Sequence, residues 1–228
     1  MVIILPCAGG CAANFNKYIS NKKISAYEYA GHWTRYEEPL FEYAEDIIDP
    51  LYRDIIEGMY GNDIDLFGHS MGGLLAWILA EKLIKSGFHV KHLYIAACCE
   101  PKKNPSFVKQ IKNDTDIKNT LKMLRQVPDR VLNSEFFNDN LLPPIRSDFS
   151  IVKGIIENAQ DKEIESLPIG ITCLYGVDDP VVRKEDMLGW ERYTSGKFSI
   201  IGFKGDHFFL YDKKNVSIIV SLVKHGEN

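Results

Sequence analysis

Ile64-Asp65-Leu66-Phe67-Gly68-His69-Ser70-Met71-Gly72-Gly73 joins a short apolar run to a longer one through a glycine-flanked serine. Leu66 and Phe67 close the first run. Leu74, Leu75, Ala76, Ile78, Leu79, Ala80 and Leu83 make the second, in helix-forming residues with apolar side chains almost all round. The pattern predicts a strand, a tight turn and a helix. Gly68-His69-Ser70-Met71-Gly72 falls at the turn. There the serine takes a strained conformation, and glycines two positions either side let backbone pass closely. The hydroxyl then stands at the top of a sheet beside a helix N-terminus, where N–H groups and the helix dipole favour negative charge. The Met71 N–H is the natural first donor to an oxyanion. A plain glycine-rich turn can carry the same five letters, so an acid and a histidine later in the chain are needed to separate the two readings.

Upstream, Val2-Ile3-Ile4-Leu5 reads as a fully apolar strand ended by Pro6-Cys7-Ala8-Gly9-Gly10. Small residues there let backbone approach a ligand, and the Ala8 N–H is the candidate second oxyanion donor. Residues 11–19 read as a helix start with Phe15, Tyr18 and Ile19 inward, and 26–29 as a second strand. Residues 40–60 carry an amphipathic helical pattern, with Leu40, Tyr43, Ala44, Ile47, Ile48, Leu51, Ile55 and Ile56 on the buried side. Pro50 inside that pattern predicts a kink or break.

Downstream, residues 90–97 read as a strand. From about 101 to 167 prolines and lysines are frequent and strand signals are weak. That stretch predicts short helices over 106–127, 131–142 and 150–158, inserted between strands as a lid over a site. Strand character returns at 169–175 and 198–203, with helices expected over 184–193 and 215–224. Strands alternating with helices imply an α/β chain with a mostly parallel sheet covered on both faces.

The chain has 228 residues, 45% hydrophobic and 25% charged, which suits one soluble α/β domain. A formal net charge of -4 gives no global basic field to attract nucleic acid. No signal peptide or membrane-spanning run is visible, so a cytoplasmic protein without membrane attachment is expected. Cys7, Cys11, Cys98, Cys99 and Cys173 are odd in number and lack a C-x-x-C pair, which disfavours disulfides or zinc. Cys98 and Cys99 end an apolar run and read as packed thiols rather than nucleophiles.

In the order expected of this architecture, the acid follows a later strand and the histidine follows the last. Asp178 and Asp179 lie in Gly176-Val177-Asp178-Asp179-Pro180, after the 169–175 strand. His207 lies in Gly205-Asp206-His207-Phe208-Phe209, after the 198–203 strand. Asp179 is the preferred acid, and Asp178 reads as a turn-former. His69 reads as a packed residue beside the nucleophile, and His32 sits in a loop that could face the site. His89, His92 and His225 read as surface or packed histidines.

These segments resemble the type II thioesterases of nonribosomal peptide and polyketide synthesis, a family with the α/β-hydrolase fold. Leu5-Pro6-Cys7-Ala8-Gly9-Gly10 is similar to the family's Phe-Pro-x-Ala-Gly-Gly, and Arg35-Tyr36-Glu37-Glu38-Pro39 to its Arg-x-x-Glu-Pro. Phe67-Gly68-His69-Ser70-Met71-Gly72 resembles the nucleophile motif, and Leu141-Leu142-Pro143-Pro144-Ile145-Arg146-Ser147-Asp148-Phe149 the lid motif. The acid and histidine segments also correspond. The chain departs from the family at Ala30-Gly31-His32, at Gly205-Asp206-His207 and in starting at its first strand.

The resemblance implies Ser70, Asp179 and His207 as catalytic residues, with backbone N–H groups of Ala8 and Met71 as oxyanion donors. It implies hydrolysis of acyl or aminoacyl thioesters on the phosphopantetheine arm of carrier proteins, which regenerates misprimed or stalled synthetases. It further implies no cofactor, no metal and a monomer. Arg35, Glu38, Arg146 and Asp148 are read as ion pairs that fix loops. Lys102, Lys103, Lys109, Lys112, Lys118 and Lys122 are read as solvated positions rather than a carrier-docking face. The alternatives are a general esterase or an acyl-coenzyme A thioesterase or acyltransferase on the same fold, and a non-enzymatic carrier-binding protein with an idle triad.

Overall fold

The computed structural model describes residues 1–16, 24–58, 61–103, 105–125 and 127–225. Among them are six strands: β1 (Val2–Leu5), β2 (Ile24–Ala26), β3 (Asp63–His69), β4 (His89–Ala96), β5 (Gly170–Gly176) and β6 (Phe198–Phe203). All pair in parallel, in the order β2-β1-β3-β4-β5-β6. The α-helices are α1 (Ala13–Asn16), α2 (Ala44–Glu57), α3 (Met71–Lys85), α4 (Ser106–Gln110), α5 (Asp114–Met123), α6 (Asp129–Leu132), α7 (Leu142–Gln160), α8 (Lys184–Met187) and α9 (Lys213–His225).

Strand alternation sends successive side chains to opposite faces, so a sheet covered on both sides needs apolar residues at every position. In β1, Ile3 and Leu5 join the core under α2, α3 and α7, whereas Val2 and Ile4 join the core under α1 and α9. Leu66 and Phe67 of β3 divide the same way. This meets the expectation of an α/β chain with a doubly covered parallel sheet. The chain runs from β1 outward to β2 on one side, then from β2 to β3 on the other side of β1. The order therefore reverses between β1 and β3, and in open parallel sheets ligands bind outside the carboxyl ends at such a point.

The stretch between β4 and β5 is helical, as its composition predicts, and has a small core of its own around Ile117, Leu121, Phe137, Ile145 and Phe149. Its subdivision differs from the expectation. The 106–127 helix is two helices, α4 and α5, parted at 111–113, where Asn113 caps α5 with a capping box. The 150–158 helix is the C-terminal part of a 19-residue helix, α7, entered through a π-helical turn at Phe137–Leu141. Pro143 and Pro144 stand in the first turn of α7, where no intrahelical N–H bond is lost.

Other boundaries also shift. β2 ends at Ala26 rather than starting there, although the Tyr27 N–H still donates to Ile4 O at 2.8 Å. α2 starts at Ala44, so Leu40 and Tyr43 are not on its buried side, and Tyr43 is exposed. Pro50 does not break α2. The carbonyl it orphans belongs to the exposed Asp46, where water can satisfy it. The 184–193 helix is α for one turn and 3₁₀ from Leu188 to Tyr193. Expectations for Tyr18 and Ile19, and for residues 59, 60 and 126, lie outside the described residues.

Candidate active site

Ser70 stands between β3 and α3 with φ 54° and ψ -116°, a left-handed conformation that side chains rarely adopt. The glycines of the motif explain how the chain tolerates it. A Cβ on Gly68 would lie 2.1 Å from Gly72 O, and one on Gly72 would lie 2.0 Å from Leu5 O. Only bare backbone lets β3, the turn and the end of β1 come this close. The Ser70 N–H donates to Ala96 O at 2.8 Å, and Ser70 O accepts from the Gly73 N–H at 2.8 Å. Met71 opens α3, where helix geometry supplies no partner for its N–H.

Asp179 follows β5 and His207 follows β6. His207 Nδ1 and Asp179 Oδ2 are 2.7 Å apart, and both side chains are almost wholly buried. The other carboxylate oxygen, Oδ1, accepts the N–H groups of Val181 (2.9 Å) and Val182 (3.0 Å). Asp179 is thus held by its own turn and aimed at one ring nitrogen. Asp178, one residue earlier, is exposed, whereas Asp179 is the aspartate that bonds to His207.

One cavity brings these elements together. Ser70, Met71, His207, Cys7 and Ala8 line it, and Phe107, Val108, Leu124, Phe149, Val152 and Ile156 of the inserted helices close its other side. Every candidate catalytic and oxyanion position except Asp179 therefore opens on a single space, and Asp179 bonds to His207 behind it. Among the described residues that line it, Ser70, His207 and the thiols of Cys7, Cys98 and Cys99 are the polar side chains. The thiols are free and buried. Burial pushes the Cys7 and Cys99 thiols up to about 12 and also raises Cys98 well above the ordinary thiol value, which keeps them protonated and poorly nucleophilic.

His69 does more than the packing role its position suggests. It is fully buried, and its Nε2–H donates to the backbone oxygen of His207 at 2.9 Å. Burial, reinforced by the nearby His207 ring, lowers its pKa to about 3, so it is neutral. The residue before the nucleophile thereby fixes the backbone of the general-base candidate. Nothing in the linear sequence distinguishes this from ordinary burial.

The remaining polar residues divide differently from the sequence reading. Arg35 pairs with Glu38 (2.5 Å) and Asp54 (2.9 Å), and Arg146 pairs with Asp114, as loop-fixing ion pairs. Asp148 is buried and bonds instead to His32 and to the Gly9 N–H. His89 pairs with Asp63 at the surface, and His92 Nε2 lies 2.8 Å from Thr172 Oγ1. The His225 side chain lies outside the described residues. Lys103 and Lys122 are exposed and paired with Asp186 and Asp129, so the lysine run is dispersed over several elements. Among the described residues no cluster of His, Cys, Asp and Glu could hold a metal ion, and no helix is long and apolar enough to cross a membrane.

Comparison with known proteins identifies the family. A family model described as a thioesterase domain matches residues 1–226. The thioesterase TesA of Mycobacterium marinum is 29% identical, over 98% of this chain and 89% of its own length. The gramicidin S biosynthesis protein GrsT of Aneurinibacillus migulanus is 27% identical, over 92% of this chain and 82% of its own. Among solved structures, the type II thioesterase BorB from the borrelidin biosynthetic cluster superposes with a TM-score of 0.81. It is 26% identical, with 98% of this chain and 91% of that one covered.

Proposed function

We propose, from the premise that this chain belongs to the thioesterase-domain family, that Ser70, His207 and Asp179 form a catalytic triad hydrolysing acyl thioesters on the phosphopantetheine arm of carrier proteins. The observation that carries the reading is the buried 2.7 Å His207–Asp179 bond behind a cavity that the strained Ser70 shares with His207. Names of relatives support the substrate class. GrsT is a gramicidin S biosynthesis protein, and BorB is a type II thioesterase from the borrelidin biosynthetic cluster.

Asp179 accepts a hydrogen bond from Nδ1–H, which keeps the proton on that nitrogen and leaves Nε2 of His207 to act as base. Ser70 Oγ attacks the thioester carbonyl carbon while Nε2 takes its proton. The N–H groups of Met71 and Ala8 stabilise the resulting oxyanion. The C–S bond breaks as the tetrahedral intermediate collapses. The departing sulfur takes the proton back from Nε2 and leaves as a thiol, which frees that nitrogen to act as base again. Water, deprotonated by Nε2, then attacks the acyl-serine ester, and Ser70 recovers its proton as the acid departs. The cycle uses no metal or diffusible cofactor. The helical insert acts as the cover of the acyl cavity, within a single domain. The protein works as a cytoplasmic monomer on carrier domains and binds neither nucleic acid nor membrane.

Ser70→Ala tests the assignment. It should abolish acyl-enzyme formation and lower kcat by about 10⁶-fold, as loss of a triad serine does elsewhere, with the melting temperature retained. Near-wild-type hydrolysis would overturn it. Rates on one acyl group presented on a carrier protein, on coenzyme A and as a nitrophenyl ester test the substrate class, and equal preference for the simple ester would refute the carrier-bound reading.

A further inference from the structure

The loop that carries Ala8 is held from two sides by groups far away in sequence. On one side the buried Tyr29 hydroxyl donates to Pro6 O at 3.0 Å. On the other, the Gly9 N–H donates to Asp148 Oδ2 at 2.7 Å, and Ile145 packs against Gly9 so closely that a Cβ there would lie 2.7 Å from Ile145 Cγ1. Gly9 has φ 65°, which suits glycine. Asp148 and Ile145 both belong to α7, the long helix of the insert.

Asp148 is itself fixed. His32 Nε2 lies 3.0 Å from the same Oδ2, and His32 Nδ1 lies 2.9 Å from Ala30 O. A carbonyl only accepts, so Nδ1 carries a hydrogen. Nε2 faces a carboxylate, so a second proton lies on that side as well. Burial by itself would lower the His32 pKa, but the Asp148 carboxylate outweighs it and the value lies above the ordinary imidazole range. His32 and Asp148 are 3% and 1% exposed. A pair this deep contributes little or nothing to net stability relative to apolar residues of the same volume. Stability alone therefore does not account for it.

We infer that Asp148, oriented by His32, is a positioning residue that sets the oxyanion loop through the Gly9 N–H, so that the insert contributes to catalysis as well as covering the cavity. The inference rests on the triad reading above and deepens it. A displacement of about 1 Å in a reacting geometry can cost about 100-fold in rate, and one bond at Gly9 lies one residue from the candidate donor at Ala8.

The test compares three variants. Asp148→Ala should lower kcat about 10- to 100-fold with KM within about 2-fold, and affinity for a boronic-acid adduct of Ser70 should fall in parallel. Asp148→Asn keeps an oxygen acceptor for the Gly9 N–H and should recover most of kcat. The double variant His32→Phe/Asp148→Leu removes both charges and fills the space, so it should still fold, with a lower midpoint because the Gly9 N–H and Ala30 O lose these partners, and it should keep the kcat defect. Wild-type kcat in that double variant would overturn the inference. It also covers the case in which Asp148→Ala fails to fold. Amide exchange of residues 8–10 gives a readout independent of activity. Exchange should quicken in the double variant, and unchanged protection would equally refute the role. If the wild-type protein hydrolyses no thioester, the functional reading fails, while the exchange measurement still decides the loop contact.

Discussion

At the residue scale, the site depends on which atom of each polar side chain faces which partner. Asp179 separates its two oxygens: Oδ1 accepts two turn amides and Oδ2 meets His207. Asp179→Asn should therefore fold normally, because Oδ1 keeps both amides. Its new NH₂ group would donate to Nδ1 and force the proton onto Nε2, the wrong tautomer for a base. A fall in kcat of about 10⁴-fold is expected, checked by single-turnover acylation with circular dichroism to confirm the fold. His69 yields a different prediction. Its folded pKa of about 3 lies below the ordinary imidazole value, so the unfolded chain binds the extra proton first as pH drops. Its contribution to stability is full above pH about 6.5 and declines toward pH 3 at roughly 1.4 kcal/mol per pH unit. His69→Gln should lack that component. Urea unfolding of both proteins between pH 7 and about 4.5 isolates it, and identical slopes would show that residue 69 does not titrate this way. The raised pKa of His32 acts with the opposite sign, but it is common to both proteins.

At the scale of elements, the strand–turn–helix around Ser70 was legible from residues 64–83 because its steric demands are local. Gly68 and Gly72 stand where backbone crosses backbone. Gly72→Ala would push a methyl into the carbonyls of Leu5 and Pro6, atoms that cannot rotate away. Destabilisation at or above the roughly 1–3 kcal/mol of ordinary overpacking is expected, measured as a lower urea midpoint, together with reduced kcat as Ser70 shifts. A midpoint within error of wild type would contradict the crossing. The insert was less legible. Pro143 and Pro144 carry the same letters whether they end a helix or begin one, and only the packing of Ile145, Phe149 and Val152 shows that they begin one. The end of β2 was misjudged for a related reason. Tyr27 and Tyr29 have strand-like side chains, but the chain leaves the sheet to bury the Tyr29 hydroxyl on Pro6 O.

At the scale of the whole molecule, the cavity beside Ser70 is closed by residues of the insert. Val152 of α7 lines the side opposite Ser70's turn. Val152→Phe should raise KM for an eight-carbon acyl thioester by about tenfold while changing that of a two-carbon one by less than about twofold, within the range that methylene-sized differences produce in apolar pockets. An equal effect on both would place the acyl chain elsewhere.

Taken alone, the amino-acid sequence determined the order of strands and helices, the nucleophile turn, and the acid and histidine at the ends of later strands. Those features depend on alternation, helical period and glycine sterics, which act over a few residues. Tertiary structure alone showed how Asp179, the aspartate that the sequence reading preferred, meets His207, that His69 holds the His207 backbone, and that Asp148 reaches His32 and Gly9. Each of those contacts joins groups at least 28 positions apart. Hydrogen bonds are short and directional, so which distant partner a polar side chain finds is settled by the packing of the elements that carry it.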